Sequence, residues 1–197
     1  MQPRTLKAIS LLLHYPDQDL LDHLAELQAV TNDDSTIHHS RLAALYQHLG
    51  QGDLYLLEEN YVALFDRGRG TSLYLFEHVH GESRDRGQAM VDLLTMYGES
   101  GFDLPPGELP DYLPVFLEYL SQLDTAKAKQ LLMEVTHLVR NIGENLAKRG
   151  SHYYLLCSAL LEMAGEKGID MDFVPMDFST EQEDYDKLDR LFGPDLV

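Results

Sequence analysis

The feature that most constrains this chain is the spacing of its apolar residues, which follows the period of an α-helix along most of its length. The clearest stretch runs from Thr125 to Arg149. Its apolar side chains fall on one face of a helix, at Leu131, Leu132, Val135, Leu138, Val139, Ile142 and Leu146. Lys148 and Arg149 suit a last helical turn, and Gly150 suits the position after it. This stretch predicts one long amphipathic helix packed on a core.

The same period recurs elsewhere, and turn residues separate the segments. Tyr15-Pro16 ends a first helix, because proline disfavours helical geometry in the residue before it. Asp17 is the predicted cap of a second helix that reaches about Val30. No alternation of apolar and polar residues is long enough to require a strand. The predicted fold class is therefore all-α, a single-domain bundle of about eight helices.

Composition divides the chain into a helical body and an acidic end. With 197 residues and 44% hydrophobic composition, the chain can close one core, and we assign this body to residues 1–165. Residues 98–107 contain three glycines and two prolines, which predicts a hinge inside the body. Residues 166–197 contain ten acidic residues against Lys167, Lys187 and Arg190, which predicts a mobile C-terminal tail.

The net charge of −18 restricts the partners of the protein. A nucleic-acid backbone or an anionic membrane would require basic patches, so we expect neither as a partner. The single cysteine, Cys157, excludes an intrachain disulfide and a multi-cysteine metal site, and its apolar neighbours predict a core position. No stretch approaches the roughly 20 apolar residues of a membrane span. We expect a soluble, cytoplasmic protein that is a monomer.

Polar residues crowd into one junction between apolar helices, from Asp66 to Arg86. The glycines of the Arg67–Ser72 segment predict an exposed turn. A short amphipathic piece follows, with Leu73 and Phe76 on its apolar side. The junction also holds four arginines and the acidic or histidine residues Glu77, His78, His80, Glu82 and Asp85. The alternative without a functional role is a surface ion network that contributes little stability. We take the junction as the candidate functional region.

Known chemical motifs are incomplete in this junction. His78 and His80 are two positions apart, so on a helix they point in different directions, and no further ligands stand at metal-binding spacing. The Arg67–Ser72 turn resembles a phosphate loop but lacks its lysine and a preceding strand. Glu77 and His78 are not accompanied by a nucleophile elbow or a cofactor fingerprint. We therefore expect no metal, no cofactor, no catalytic residue and no enzyme activity.

Four runs in the chain together resemble the NarJ family, the assembly chaperones of respiratory nitrate reductase. They are Tyr61-Val62-x-x-Phe65-Asp66, the run from Ser72 to Gly81 that contains Phe76-Glu77-His78-Val79-His80-Gly81, the run Ser83-Arg84-x-Arg86-Gly87-x-Ala89-Met90, and Glu108-Leu109-Pro110-Asp111-Tyr112-Leu113-Pro114. The resemblance extends from about Leu11 to Met163. The acidic end matches the family only in character.

This resemblance implies an all-helical chaperone of the TorD/NarJ-like type. Such a protein binds the N-terminal segment of the nitrate reductase catalytic subunit and supports insertion of the molybdenum cofactor before membrane docking. A peptide helix lying in an apolar groove would have polar residues at its rim. We assign the floor to Tyr74, Phe76, Met90 and Leu94, and the rim to Glu77, His78, His80 and Arg84.

Three alternatives to this function remain. The first is a chaperone for another molybdoenzyme of the same class. The second is a nucleotide-dependent enzyme that uses the Arg67–Ser72 turn. The third is a structural adaptor with no open groove.

Overall fold

The computed structural model describes residues 1–79, 84–104 and 106–170, and this part of the chain is all-α, as predicted. It contains nine α-helices, numbered in chain order: α1 Pro3–Leu12, α2 Gln18–Asp22, α3 Leu24–Asn32, α4 His39–Gln51, α5 Leu54–Phe65, α6 Arg84–Glu99, α7 Leu113–Ser121, α8 Thr125–Lys148 and α9 Tyr154–Ala164. Two short 3-10 turns, Arg69–Thr71 and Leu75–His78, lie between α5 and α6.

The long helix α8 begins at Thr125, as predicted, and ends at Lys148, one residue before the predicted end. The Asp124 carboxylate caps its first turn by accepting hydrogen bonds from the backbone N–H groups of Ala126 and Lys127. Gly150 follows the helix at a positive φ of 67°, a geometry that glycine adopts without steric cost. The apolar stripe of α8 is buried, with Leu132, Val139, Ile142 and Leu146 fully inside.

Two helix pairs form much of the core. In one pair, the Ser10 hydroxyl of α1 donates to the Pro114 carbonyl of α7, and Lys7 pairs with Glu118 beside it. In the other pair, α8 and α9 approach closely at Gly143, where an added Cβ would lie 2.6 Å from the Cβ of Cys157. Cys157 is fully buried, as predicted, and burial raises the pKa of its thiol to about 12.

The predicted helix from Asp17 to Val30 is divided in the structure. Asp17 does cap the first part, where its carboxylate accepts the N–H of Leu20. His23 then leaves helical geometry, with ψ at 5°, and separates α2 from α3. The break allows Leu24 and Leu27 of α3 to be buried, whereas α2 has no buried residue.

The first residues after α9 pack on the body. Ile169 is 5% exposed, and its N–H donates to the hydroxyl of Ser158. Arg140 of α8 holds the same segment through the carboxylate of Glu166 and the carbonyl of Lys167. Residues 171–197, most of the predicted tail, lie outside the described residues.

The predicted hinge at residues 98–107 connects the end of α6 to a loop that leads into α7. Gly101 and Gly107 both have positive φ angles. Tyr97 and Phe102 are buried on either side of the first glycine, with their rings 5.2 Å apart. Movement in this connector remains a prediction.

Candidate functional site

The centre of the predicted junction is the segment from Ser72 to His78, here named the Ser72–His78 turn. Leu73 and Leu75 point into the core and are 1% and 2% exposed. Tyr74 and Phe76, between and after them, are only partly buried, as are Glu77 and His78. The two leucines therefore anchor the turn, while their neighbours remain partly accessible to solvent.

Backbone hydrogen bonds to residues far away in the sequence hold this turn in place. The local sequence pattern does not predict these bonds. The N–H of Leu75 donates to the carbonyl of Asp111 at 2.9 Å, and the N–H of Leu113 donates to the carbonyl of Leu73 at 2.8 Å. Tyr74 and Tyr112 consequently face each other as a single antiparallel bridge. These bonds explain why Tyr74 is extended and only Leu75–His78 forms a 3-10 turn, instead of one amphipathic helix.

Asp111 also holds the turn through its side chain. One carboxylate oxygen, Oδ2, accepts the N–H of Phe76 at 3.1 Å. The other oxygen, Oδ1, has no hydrogen-bond partner within the described residues, and the side chain is fully buried. Burial raises the pKa of Asp111, although the Phe76 N–H and the charge of Arg86 oppose that rise. Asp111 thus fixes the position of Phe76 at an electrostatic cost.

The predicted rim residues have different surroundings. His78 folds back on its own turn, and its Nε2 donates to the Ser72 carbonyl at 2.9 Å. This bond joins the two ends of the turn. The Ser72 hydroxyl also accepts the N–H of Tyr74. The structure describes the backbone of Arg84 as the start of α6, but not its side chain. His80 lies outside the described residues.

An aromatic cluster supports Tyr74 from below. The Tyr74 and Tyr112 rings are 5.2 Å apart, and the Tyr112 hydroxyl meets that of Tyr61 at 3.1 Å. Tyr61 donates to the Leu13 carbonyl at the end of α1. Burial raises the pKa of Tyr112 to about 12, so its hydroxyl remains neutral at physiological pH.

Helix α6 stands beside the turn and carries the two remaining predicted floor residues. Met90 is partly buried and Leu94 is 45% exposed. Tyr97 anchors the C-terminal end of α6, because its buried hydroxyl donates to the Pro110 carbonyl at 2.7 Å. Arg86 in the first turn acts electrostatically on Asp111. The loop from Pro110 to Leu113 therefore links α6 with the Ser72–His78 turn.

Asp111 and Tyr112 were absent from the predicted site, although their run was one of the family motifs. The available signal was an aspartate enclosed by leucine and proline in Leu109-Pro110-Asp111-Tyr112-Leu113-Pro114. A carboxylate in so apolar a stretch requires partners if it is buried. Its partner, the Phe76 N–H, is 35 residues away in sequence, which no local pattern can indicate.

The glycines of the Arg67–Ser72 turn have a packing role against α8. Asn145 of α8 donates to the Gly70 carbonyl at 2.9 Å. A Cβ added to Gly68 would lie 2.6 Å from the Arg149 guanidinium. The buried Thr71 hydroxyl donates to the carbonyl of Leu64 at the end of α5. These contacts pack the turn against the C-terminal end of α8.

Two general features of the described residues bear on the class of site. No group of three or more histidine, cysteine, aspartate or glutamate side chains among them could hold a metal ion. No helix in residues 1–79, 84–104 and 106–170 is long and apolar enough to cross a membrane.

Similarity to known proteins places the chain in a family. A family model described as the nitrate reductase delta subunit matches residues 18–154. The chain belongs to this family. It is 42% identical to the nitrate reductase molybdenum cofactor assembly chaperone NarJ of Escherichia coli strain K12, over 91% of this chain and 77% of that protein. The resemblance to the NarJ family is therefore confirmed.

Other relatives agree with this assignment. The chain is 34% identical to the nitrate reductase-like protein NarX of Mycobacterium tuberculosis, over 62% of this chain and 18% of that longer protein. A solved structure described as a redox enzyme maturation protein from Archaeoglobus fulgidus matches with a TM-score of 0.62, covering 84% of this chain and 95% of its own. At 22% identity this second likeness concerns the fold alone, and it confirms the predicted helical architecture.

Proposed function

We propose that this protein is a cytoplasmic chaperone for respiratory nitrate reductase. It binds the N-terminal segment of the catalytic subunit, here named the client segment, and supports molybdenum cofactor insertion before the enzyme docks at the membrane. The kinship with NarJ, at 42% identity, supports this role. The client segment binds as a helix against the Ser72–His78 turn and α6.

The observation that carries the site is the accessible face of a rigidly held turn. Tyr74, Phe76 and Glu77 are partly exposed on a segment whose backbone is tied to residues 111–113. A preorganised aromatic surface loses little conformational entropy when a peptide binds. Leu94 and Val91, on the exposed side of α6, are 45% and 53% exposed, and they supply apolar surface on the second element of the proposed site.

Calorimetry with a synthetic client segment of about 15 to 30 residues tests the proposal. A helix that orders as it binds gives an affinity of roughly micromolar to nanomolar, because ordering offsets much of the burial. Replacing a central aromatic anchor costs more than about 1 kcal/mol, so Phe76→Ala weakens binding by about fivefold or more. Tyr55→Ala, which removes an aromatic side chain that is 72% exposed on α5, is the matched control and leaves affinity within about twofold.

Circular dichroism of each variant establishes that it is folded. Equal affinities of wild type, Phe76→Ala and Tyr55→Ala would remove the Ser72–His78 turn from the binding surface. Tighter binding of N-terminal segments from other molybdoenzymes would identify a different client of the same class. Failure of wild type to bind any such segment would refute the chaperone role.

A further inference from the structure

A concave surface lies between the end of α1, α2 and α3, and its lining residue His14 contacts the aromatic cluster at Tyr112. It is a cleft of about 580 Å³. Leu27 is buried at its base, and Leu11 and Tyr15 are 37% and 46% exposed along it. The full lining is Leu11, His14, Tyr15, Asp17, Asp19, Leu20, His23, Glu26 and Leu27. Such a volume accepts a few anchoring side chains of a docked helix.

The polar lining of this cleft is acidic. It contains three carboxylates and neither lysine nor arginine. The Asp17 carboxylate caps α2, and Asp19 lies 3.6 Å from the His23 ring. The backbone N–H of Glu26 donates to the His23 carbonyl, but its carboxylate makes no hydrogen bond or ion pair with any described residue, and the side chain is exposed. An acceptor therefore stands at the edge of an apolar cleft with its charge available to a cation.

The cleft is continuous with the aromatic cluster of the proposed client site. The His14 ring, which lines the cleft, meets the Tyr112 ring edge-on at 5.7 Å. Tyr112 in turn contacts Tyr74. A ligand seated in the cleft would thus lie one aromatic layer from the Ser72–His78 turn.

The acidic lining of the cleft distinguishes between the partners that could bind there, because their net charges differ. A second copy of this chain would bring a net charge of −18 towards an acidic rim. Residues 171–197 of the chain contain eight aspartates or glutamates against Lys187 and Arg190, so they are also mismatched. Apolar walls and an unpaired carboxylate suit a partner that is apolar on one face and cationic on the other.

We infer that this cleft docks an amphipathic helical segment that carries leucine or aromatic residues on one face and lysine or arginine beside them. The apolar side chains enter between Leu11, Tyr15 and Leu27, and a cationic side chain pairs with Glu26. Docking here fixes the register of a helix that also reaches the Tyr74 side. The inference rests on the proposed function only for the source of the helix, which is then the client segment.

The test uses a fluorescent model peptide, a 14-residue helix with leucine on one face and lysine on the other, and an otherwise identical leucine and glutamate peptide. Fluorescence anisotropy gives the affinities of both for full-length protein. Glu26→Lys weakens binding of the lysine peptide by about tenfold, whereas Glu134→Lys, an equal charge change on the exposed side of α8, changes it by less than about twofold. The glutamate peptide binds at least about tenfold more weakly than the lysine peptide.

An apolar pair of variants tests the cleft walls. Leu11→Ser weakens the lysine peptide by about fivefold, and Met133→Ser, at a side chain 54% exposed on α8, leaves it unchanged. Equal losses for Glu26→Lys and Glu134→Lys would mean attraction to the net charge alone and would overturn the inference, as would equal binding of the two peptides. A wild-type protein that binds the lysine peptide at the cleft but no client segment would refute the proposed function and leave the cleft in place.

Discussion

The close approach of α8 and α9 predicts an unusual response to Gly143→Ala. Alanine ordinarily stabilises a helix interior relative to glycine by about 1 kcal/mol. At Gly143, however, the added methyl would lie 2.3 Å from Cδ1 of Ile169 and 2.6 Å from Cβ of Cys157. The isoleucine end can rotate away, but the cysteine Cβ moves only with the backbone of α9.

These distances determine the sign of the effect. Carbon atoms pack at about 3.5 to 4.0 Å, so α9 must shift by roughly 1 Å or the contact remains strained. Overpacking of this kind costs about 1 to 3 kcal/mol and can exceed that range, which outweighs the gain in helix propensity. Subtracting the gain of about 1 kcal/mol in helix propensity leaves a net destabilisation of up to about 2 kcal/mol and a fall in Tm of up to about 8 °C for a chain of this length.

Gly87→Ala in α6 is the matched control, because no atom of the described residues lies within 4 Å of its added Cβ. It gains helix propensity without a clash, so we expect stabilisation by about 0.5 to 1 kcal/mol. Thermal and urea unfolding followed by circular dichroism measure both variants. In the background of Gly143→Ala, Ile169→Ala should cost less than it does in wild type, because the two sites are coupled. A Gly143→Ala protein as stable as Gly87→Ala would refute the close packing described for α8 and α9.

Two further predictions concern pH. Burial raises the pKa of Asp111, so wild type should lose stability relative to Asp111→Asn as pH rises from about 4 towards 7; urea titrations of both proteins check this, and a constant difference would contradict it. Burial lowers the pKa of His48 and of His152, whose rings stack at 4.8 Å, so wild type should lose stability relative to His48→Gln as pH falls through about 6.5. Melting temperatures of both proteins between about pH 5 and 8 measure the second effect. Parallel curves of melting temperature against pH for wild type and His48→Gln would contradict this prediction.

Local pattern was sufficient for most of the helices. The apolar stripe of α8 and its capping residues are properties of consecutive positions, so the bounds predicted for it agree with Thr125–Lys148. Cys157 was assigned to the core from its neighbours, and it is fully buried. The family was also recognisable in the sequence, because its motifs are contiguous runs.

The candidate surface depended on the tertiary structure. The sequence placed Leu73 and Phe76 on one side of a short helix, but hydrogen bonds to residues 111 and 113 hold the segment around an extended Tyr74, with Leu73 buried and Phe76 partly buried. It could not show that Asp111 would hold Phe76, or that α1 and α3 would enclose a cleft with Glu26 at its edge.

The sequence by itself therefore determined most of the helices, the all-α class and the family, since these follow from periodicity and short motifs. The tertiary structure decided which polar groups are buried, which apolar side chains remain exposed, and where α8 and α9 meet at Gly143. Those properties depend on contacts between residues far apart in the chain. Such contacts form, and contribute free energy, only when the helices pack together.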